Sequence, residues 1–290
     1  IGALFANTTV KGLAAVLNED SPDIEFAPVL PLREVDSTDS ATSKNTVPLF
    51  ILPPAGGLGW CYAAYLPYLP GHPSVYALQH EAFTNPNAGY AQSLRELAEG
   101  YLARIRETLE ERQLPSQFSL MGWSVGGTAA VEVAALAETA GYDVQQVTLL
   151  DAYLVEQWQG NPEPDEQESF RALLRRGGLP EVSAQTVLDL PQTLERLREA
   201  GSAMGYRPED KLGVCLESTR ASAALMRGSN HLNFGGKVVL IGVNHDDQPY
   251  LDAHGWEPHA GSFRTVTLKN GTHPDLVNPE RIPEITAEAF

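Results

Sequence analysis

A chain of 290 residues with 43% hydrophobic content holds enough apolar material for one large core plus small appendages, which excludes disorder throughout. Its 20 basic residues against 37 acidic ones leave a formal charge of −17, which opposes a nucleic-acid partner and any attraction to an anionic membrane. No apolar run approaches the ~18 residues of a membrane span, and Cys61 and Cys215 stand far apart without metal-like spacing. They read as buried thiols of a reducing, cytoplasmic compartment, with no metal expected.

In chain order, Thr8-Thr9 caps a short helix whose Val10, Leu13, Ala14 and Leu17 form one apolar stripe, too short to stand alone. The chain opens at Ile1 with no basic n-region and apolar h-region, so it reads as a piece of a longer polypeptide. Residues 21–46 are rich in Pro, Ser, Thr and Asp and read as a linker, with residues 29–33 as a first edge strand. Pro48-Leu-Phe-Ile-Leu-Pro-Pro-Ala-Gly-Gly57 gives a buried strand cut off by prolines and glycines. The loop after that strand is small enough for a carbonyl to approach a backbone amide, and the amide of Ala55 is the candidate donor. Residues 61–69 read as a helix, 74–79 as a strand and 93–111 as a long helix with a capping box at Ser93 and Glu96.

Gly122-Trp-Ser-Val-Gly126 lies between the apolar run at 118–121 and the helix-suited stretch at 128–140. Strand, sharp turn, helix is the setting of a nucleophile elbow, which exposes its serine at the tip of a sheet. The amide of Val125 opens the following helix, so an oxyanion beside Ser124 would meet a backbone donor and the positive end of a helix dipole. Residues 147–150 form the next strand, and Asp151 follows it directly, 27 residues after Ser124. Residues 154–234 interrupt the alternation with helices at 169–176, 192–200 and 212–226, the pattern of a lid inserted between core strands. Strands at 237–242 and 263–268 resume the sheet, and residues 279–290 end the chain as a helix. Alternating strands and helices predict an α/β fold with a largely parallel sheet.

Of seven histidines, His273 alone occupies the loop after the last strand with a glycine two residues before it. Pro274 should hold it out of a helix. Ser124, Asp151, His273 is the nucleophile, acid, base order of α/β-hydrolases. A serine hydroxyl is a weak nucleophile near neutrality, so a histidine must take its proton and a carboxylate must fix that histidine's tautomer. Asp246 and Asp247, after the strand at 237–242, are alternative acids; the 27-residue spacing and the Leu149-Leu150-Asp151 context favour Asp151.

Pro48-Leu-Phe-Ile-Leu-Pro-Pro-Ala-Gly-Gly, Tyr101-Leu-x-Arg-Ile-Arg, Gly122-Trp-Ser-Val-Gly-Gly, Leu149-Leu-Asp-Ala-Tyr and Gly271-x-His together resemble the type I thioesterase domains that end nonribosomal peptide synthetases. The stretch Leu4-Phe5 to Thr9-Val10 and Leu13-Ala14 resembles the last helix of a peptidyl carrier domain. These likenesses imply a carrier tail over residues 1–20, a linker over 21–46 and an α/β-hydrolase thioesterase domain over 47–290 with its lid at about 154–234. They further imply Ser124 as the acylated nucleophile, His273 as base, Asp151 as acid and the amides of Ala55 and Val125 as oxyanion hole. The substrate implied is a peptidyl thioester on the carrier's 4'-phosphopantetheine arm, released as a linear acid or a macrocycle; the domain itself would need no cofactor. A free-standing esterase or lipase and an inactive hydrolase-fold binding module are the rival readings.

Overall fold

The computed structural model describes residues 24–35, 46–159, 165–180, 182–202, 205, 208–228, 231–246 and 248–290. The carrier-like tail and the most polar part of the expected linker lie outside them. Among the described residues seven strands form one sheet: β1 (Val29–Arg33), β2 (Leu49–Leu52), β3 (Val75–Leu78), β4 (Gln117–Trp123), β5 (Asp143–Leu150), β6 (Phe234–Gly242) and β7 (Ala260–Thr267), in the spatial order β1-β3-β2-β4-β5-β6-β7. Only β1 is antiparallel to its neighbour; the other pairs are parallel. The middle strands read as continuous apolar runs because both faces are covered: Leu49 to Leu52 and Val75 to Leu78 are buried at every residue.

One face is covered by α1 (Leu94–Glu111) and α2 (Val125–Thr139). Ala98, Tyr101, Leu102, Ile105 and Leu109 of α1 recur at helical spacing and point inward. Ser93 caps α1 by accepting from the Glu96 amide at 3.1 Å, while the Glu96 carboxylate reaches back to the Gln92 amide at 2.8 Å, one residue earlier than a capping box requires. The other face is covered by the segment Trp60–Tyr68 and by a C-terminal helix at Ile282–Ala289.

The segment expected as an α-helix at 61–69 is a 3₁₀ run, Trp60–Tyr68, and Pro67 inside it removes a donor that an α-helix would need. Three residues per turn align Tyr62 with Tyr65, both buried. Tyr62 Oη donates to the Leu52 carbonyl at 2.8 Å and accepts from the Trp123 amide at 2.8 Å, tying the ends of β2 and β4 together. Tyr65 Oη donates to the Leu276 carbonyl. Neither cysteine is in a disulfide; Cys215 is buried as expected, but Cys61 on this segment is only half-buried.

Between β5 and β6 the described residues include three α-helices, α3 (Glu166–Arg176), α4 (Leu190–Glu199) and α5 (Glu209–Leu225). They bury a core of their own, with Phe170, Leu173, Leu194, Leu197, Leu212 and Leu216 among its members. Part of their connection to the body runs through a small cluster of Phe26, Phe83 and Cys215, and Lys211 Nζ donates to the Phe83 carbonyl at 2.5 Å. Among the described residues, no helix is long and apolar enough to cross a membrane.

Candidate active site

The register of the sheet brings the candidate residues together. Trp123 pairs with Leu150 across β4 and β5, so the residues that follow, Ser124 and Asp151, leave adjacent strand ends side by side. Each keeps one last ladder bond: Ser124 N donates to the Leu150 carbonyl at 2.9 Å and Asp151 N to the Ile241 carbonyl at 2.8 Å. Both then turn sharply, with φ of 58° at Ser124 and 46° at Asp151. Positive φ costs a non-glycine residue free energy and persists only where the surroundings enforce it, which is a signature of functional sites.

The elbow is enforced by close packing of backbone. A Cβ at Gly122 would lie 2.3 Å from the Gly126 carbonyl carbon, and one at Gly126 would lie 2.5 Å from the Pro53 carbonyl oxygen. Neither position tolerates a side chain, so β4 and α2 meet closely enough for Ser124 to stand at the N-terminus of α2. The first amides of a helix have no carbonyl one turn back, and they carry the positive end of its dipole. Across the gap the chain turns between Pro54 and Gly57 (Gly57 N to the Pro54 carbonyl, 2.8 Å) and presents Ala55. Ala55, Ser124 and Val125 line one cavity of ≈ 680 Å³ that runs beneath α3 and α5. Ser222 Oγ of α5 donates to the Ala55 carbonyl at 3.4 Å, so the inserted helices touch this loop.

His273 lies in the last connection, after β7. It opens a 3₁₀ turn, His273–Val277, instead of the loop expected from Pro274. Pro274 sits in the first turn, where its missing N–H costs no hydrogen bond. Asp275 braces the turn, accepting from Thr272 N at 2.8 Å and from Thr272 Oγ1 at 2.7 Å. The ring of His273 packs 4.8 Å from that of Trp123, and its Nδ1 is 2.6 Å from Asp151 Oδ2. Ser124, Asp151 and His273 line a second cavity, ≈ 450 Å³, which shares Ser124, Asp151, Tyr153, Trp158 and Gln248 with the first. Asp246 is exposed, and Asp247 lies outside the described residues.

Asp151 is 2% exposed, and burial alone would raise its pKa. Hydrogen bonds from His245 and His273 outweigh the burial and hold the carboxyl well below the usual carboxylate range, so it is an anion at every working pH. Tyr153 Oη donates to Oδ1 at 3.0 Å and the Val243 amide to Oδ1 at 3.1 Å. Burial, with Asp151 beside it, pushes the Tyr153 phenol far up, so it stays a neutral donor. The sequence reading missed His245, Tyr153 and Val243. A signal for His245 existed in its position three residues after the end of β6, but nothing in the sequence pairs that loop with Asp151.

A buried carboxylate anion bonded to the Nδ1 side of a partly exposed imidazole fixes one tautomer and stabilises the imidazolium. Beside it, a strained serine stands at a helix N-terminus with a second loop opposite. That arrangement, on a mostly parallel sheet with crossover helices, defines an α/β-hydrolase fold of the hydrolase class. Within that class the chain belongs to the thioesterase domain family, whose model matches residues 47–290. It is 29% identical over 290 residues to a dimodular nonribosomal peptide synthase of Bacillus subtilis (strain 168), covering 98% of this chain and 12% of that one. It thus spans about an eighth of the length of that relative. Among solved structures it is similar to a four-domain nonribosomal peptide synthetase, holo-AB3403 (TM-score 0.73, 17% identity, 98% of this chain and 22% of that one). It is also similar to the NocB thioesterase domain (TM-score 0.59, 21% identity, 84% of this chain and 93% of that one).

Proposed function

We propose that residues 47–290 are the chain-terminating thioesterase of a nonribosomal peptide synthetase, acting through Ser124, His273 and Asp151. The observation that carries the reading is the 2.6 Å contact between His273 Nδ1 and the buried Asp151 carboxylate, in a cavity shared with a serine at φ 58°. The peptidyl thioester arrives on the phosphopantetheine arm of a carrier domain, of which residues 1–20 would be the tail and 21–46 the linker. His273 takes the Ser124 proton as Oγ attacks the thioester carbonyl. The amides of Ala55 and Val125 donate to the oxyanion, and collapse expels the pantetheine thiol, which takes the proton from His273. The resulting ester is opened from the same side, with His273 again taking the nucleophile's proton; collapse then breaks the Oγ–C bond and His273 returns the proton to Ser124 Oγ. An amine or hydroxyl of the peptide gives a macrocycle, and water gives a linear acid.

The inserted helices support an intramolecular release. α3 and α5 overhang the ≈ 680 Å³ cavity through Glu168, Arg171, Thr219 and Ser222, and a cover that closed over a bound peptide and excluded water would favour a nucleophile already inside the cavity. The expected product is therefore a macrocycle when the peptide carries a reachable nucleophile and an acid otherwise.

The test begins with a serine-directed fluorophosphonate, apt because the NocB thioesterase domain has been solved in covalent complex with a fluorophosphonate analogue. Intact mass should show a single adduct, peptide mapping should place it on Ser124, and Ser124→Ala should take up none. Peptidyl pantetheine thioesters with and without an internal amine then separate cyclic from linear release. An adduct at another residue, or none, would remove Ser124 as nucleophile.

A further inference from the structure

The carboxylate that holds His273 is held in turn by a second histidine. His245 Nε2 lies 3.0 Å from both Asp151 Oδ1 and Oδ2, on the loop that follows β6. With Tyr153 Oη and the Val243 amide, four donors converge on Asp151: Oδ1 takes Tyr153, Val243 and one arm of His245, and Oδ2 takes His273 and the other arm. Three of these donors, Val243, His245 and Tyr153, leave His273 untouched. The His245 ring sits edge-on to Tyr153 at 5.4 Å, its side chain is 15% exposed, and it lines the same cavity as Ser124 and His273.

An ionised carboxylate accepts and cannot donate, so the nitrogen that points at both of its oxygens must carry the proton. His245 is therefore an Nε2–H donor. A carboxylate whose lone pairs are shared among several donors gives less of its charge to any one of them. The 2.6 Å contact to His273 is consequently made by a carboxylate already partly satisfied.

We propose that His245 is a positioning residue that shares Asp151 with His273: its bifurcated Nε2–H fixes the plane of the carboxylate and moderates how basic His273 becomes. The proposal rests on the reading of Ser124 and His273 above. It assigns a function to the β6 loop, which at this sheet edge supplies two donors to the acid and not the acid itself. A base left too strong by an unshared carboxylate would hold its proton at working pH and return it sluggishly to the leaving thiol, so sharing tunes the step in which the proton is handed on.

Other charged or titratable groups around this carboxylate among the described residues are few. Tyr153 bonds Asp151 directly, and Asp252 acts on Tyr153 from the loop beyond. Asp246 is the chain neighbour of His245, and Asp275 braces the turn that carries His273. None of these replaces the two imidazoles on Asp151.

The test compares wild type with His245→Ala and His245→Gln, the second of which keeps an N–H donor that does not titrate. Fluorophosphonate labelling rates across pH should show His245→Ala slower by about tenfold near neutrality, the scale of one charge-assisted hydrogen bond. Its acid limb should move to higher pH by about one pH unit. His245→Gln should recover most of the rate and most of the limb position. Proton NMR of the resting enzyme gives a readout that does not need Ser124: the His273 Nδ1 proton should move further downfield in His245→Ala and lie near its wild-type position in His245→Gln. An unmoved acid limb and an unmoved Nδ1 resonance in both variants, with either rate, would overturn the sharing. Should His273→Ala label as fast as wild type, the base assignment fails, while the Nδ1 resonance still decides whether the carboxylate is shared.

Discussion

Among the described residues, two of the histidine–carboxylate pairs, His231–Glu132 and His273–Asp151, are built from similar chemical parts and are held in opposite ways. At the base of the inserted helices His231 Nδ1 lies 2.8 Å from Glu132 Oε1, and its Nε2 accepts from the Val155 amide at 2.9 Å. The His231 side chain is 0% exposed and that of Glu132 2%. The acceptance at Nε2 puts the proton on Nδ1, so both ring nitrogens are spent on the protein. His231 and Val155 lie at the two ends of the insertion and Glu132 belongs to α2, so this pair staples the insertion shut at its root. At the candidate site His273 spends Nδ1 on Asp151, but its side chain is 38% exposed and faces a cavity with Ser124. One imidazole is locked from both sides and the other is anchored from one side. A histidine–carboxylate pair is thus evidence of chemistry only when one ring nitrogen has somewhere to go.

The largest effect should separate the two pairs cleanly. His273→Ala should lower the labelling rate of Ser124 by at least ~10³-fold, with a modest change in Tm. His231→Ala removes one of the two donors to the buried Glu132 carboxylate, leaving it the Leu232 amide, and strips the Val155 amide of its acceptor, which together costs about 3 kcal/mol. Calorimetry should then show a Tm fall of roughly 5–10 °C, while the rate per folded molecule stays within about threefold. Equal loss of rate in the two variants, at matched folded fraction, would abolish the distinction between anchored and locked imidazoles.

The distinction also explains what was legible in the sequence. The elbow was, because Gly122 and Gly126 admit no Cβ and leave a strand–turn–helix pattern that the order of residues displays. The parallel sheet was, because strands buried on both faces read as unbroken apolar runs. The expected strand at 29–33 and the three inserted helices recur in the structure within a few residues of their expected ends. The 3₁₀ character of Trp60–Tyr68 was not legible, because it depends on two tyrosine hydroxyls reaching carbonyls of distant elements. His245 was invisible for a related reason: its contact with Asp151 spans 94 residues and arises from the pairing of β5 with β6, a property of register and not of local pattern.

Asp151 sharpens the comparison through acid stability. Its folded carboxyl lies well below the usual range, set by the histidine hydrogen bonds against an opposing burial. The stability it contributes is fully present above the unfolded value near ~3.9 and is lost as pH falls below that toward the folded value. Asp151→Asn should therefore flatten the dependence of the urea midpoint on pH between about 4 and 2. The same variant should slow labelling by about 10³- to 10⁴-fold, because an amide no longer fixes the tautomer of His273. A rate near wild type with a flattened acid curve would leave Asp151 as an architectural group and take it out of the chemistry.

His80 offers the smallest effect and a third kind of histidine. It stands beside the Ala55 loop, donating its amide to the Gly57 carbonyl at 2.9 Å, while its Nδ1 accepts from the Ala82 amide at 3.1 Å and its ring stacks on Tyr90 at 4.4 Å. Burial, then the neighbouring Arg104, lowers its pKa to about 4. The folded state thus prefers the neutral ring, and protonation would also break the bond from Ala82. Because the unfolded chain takes up this proton near ~6.5, the contribution is complete above that pH and erodes as pH falls from there to about 4. The loss should not exceed about 2 kcal/mol, since a ring with some solvent contact is partly screened. His80→Gln keeps an acceptor for Ala82 without a titrating proton, so its urea midpoint should be nearly level between pH 6.5 and 4 where that of wild type declines. A parallel decline in both proteins would assign the slope to other groups and return His80 to the ranks of locked imidazoles, with His231 as its closer counterpart.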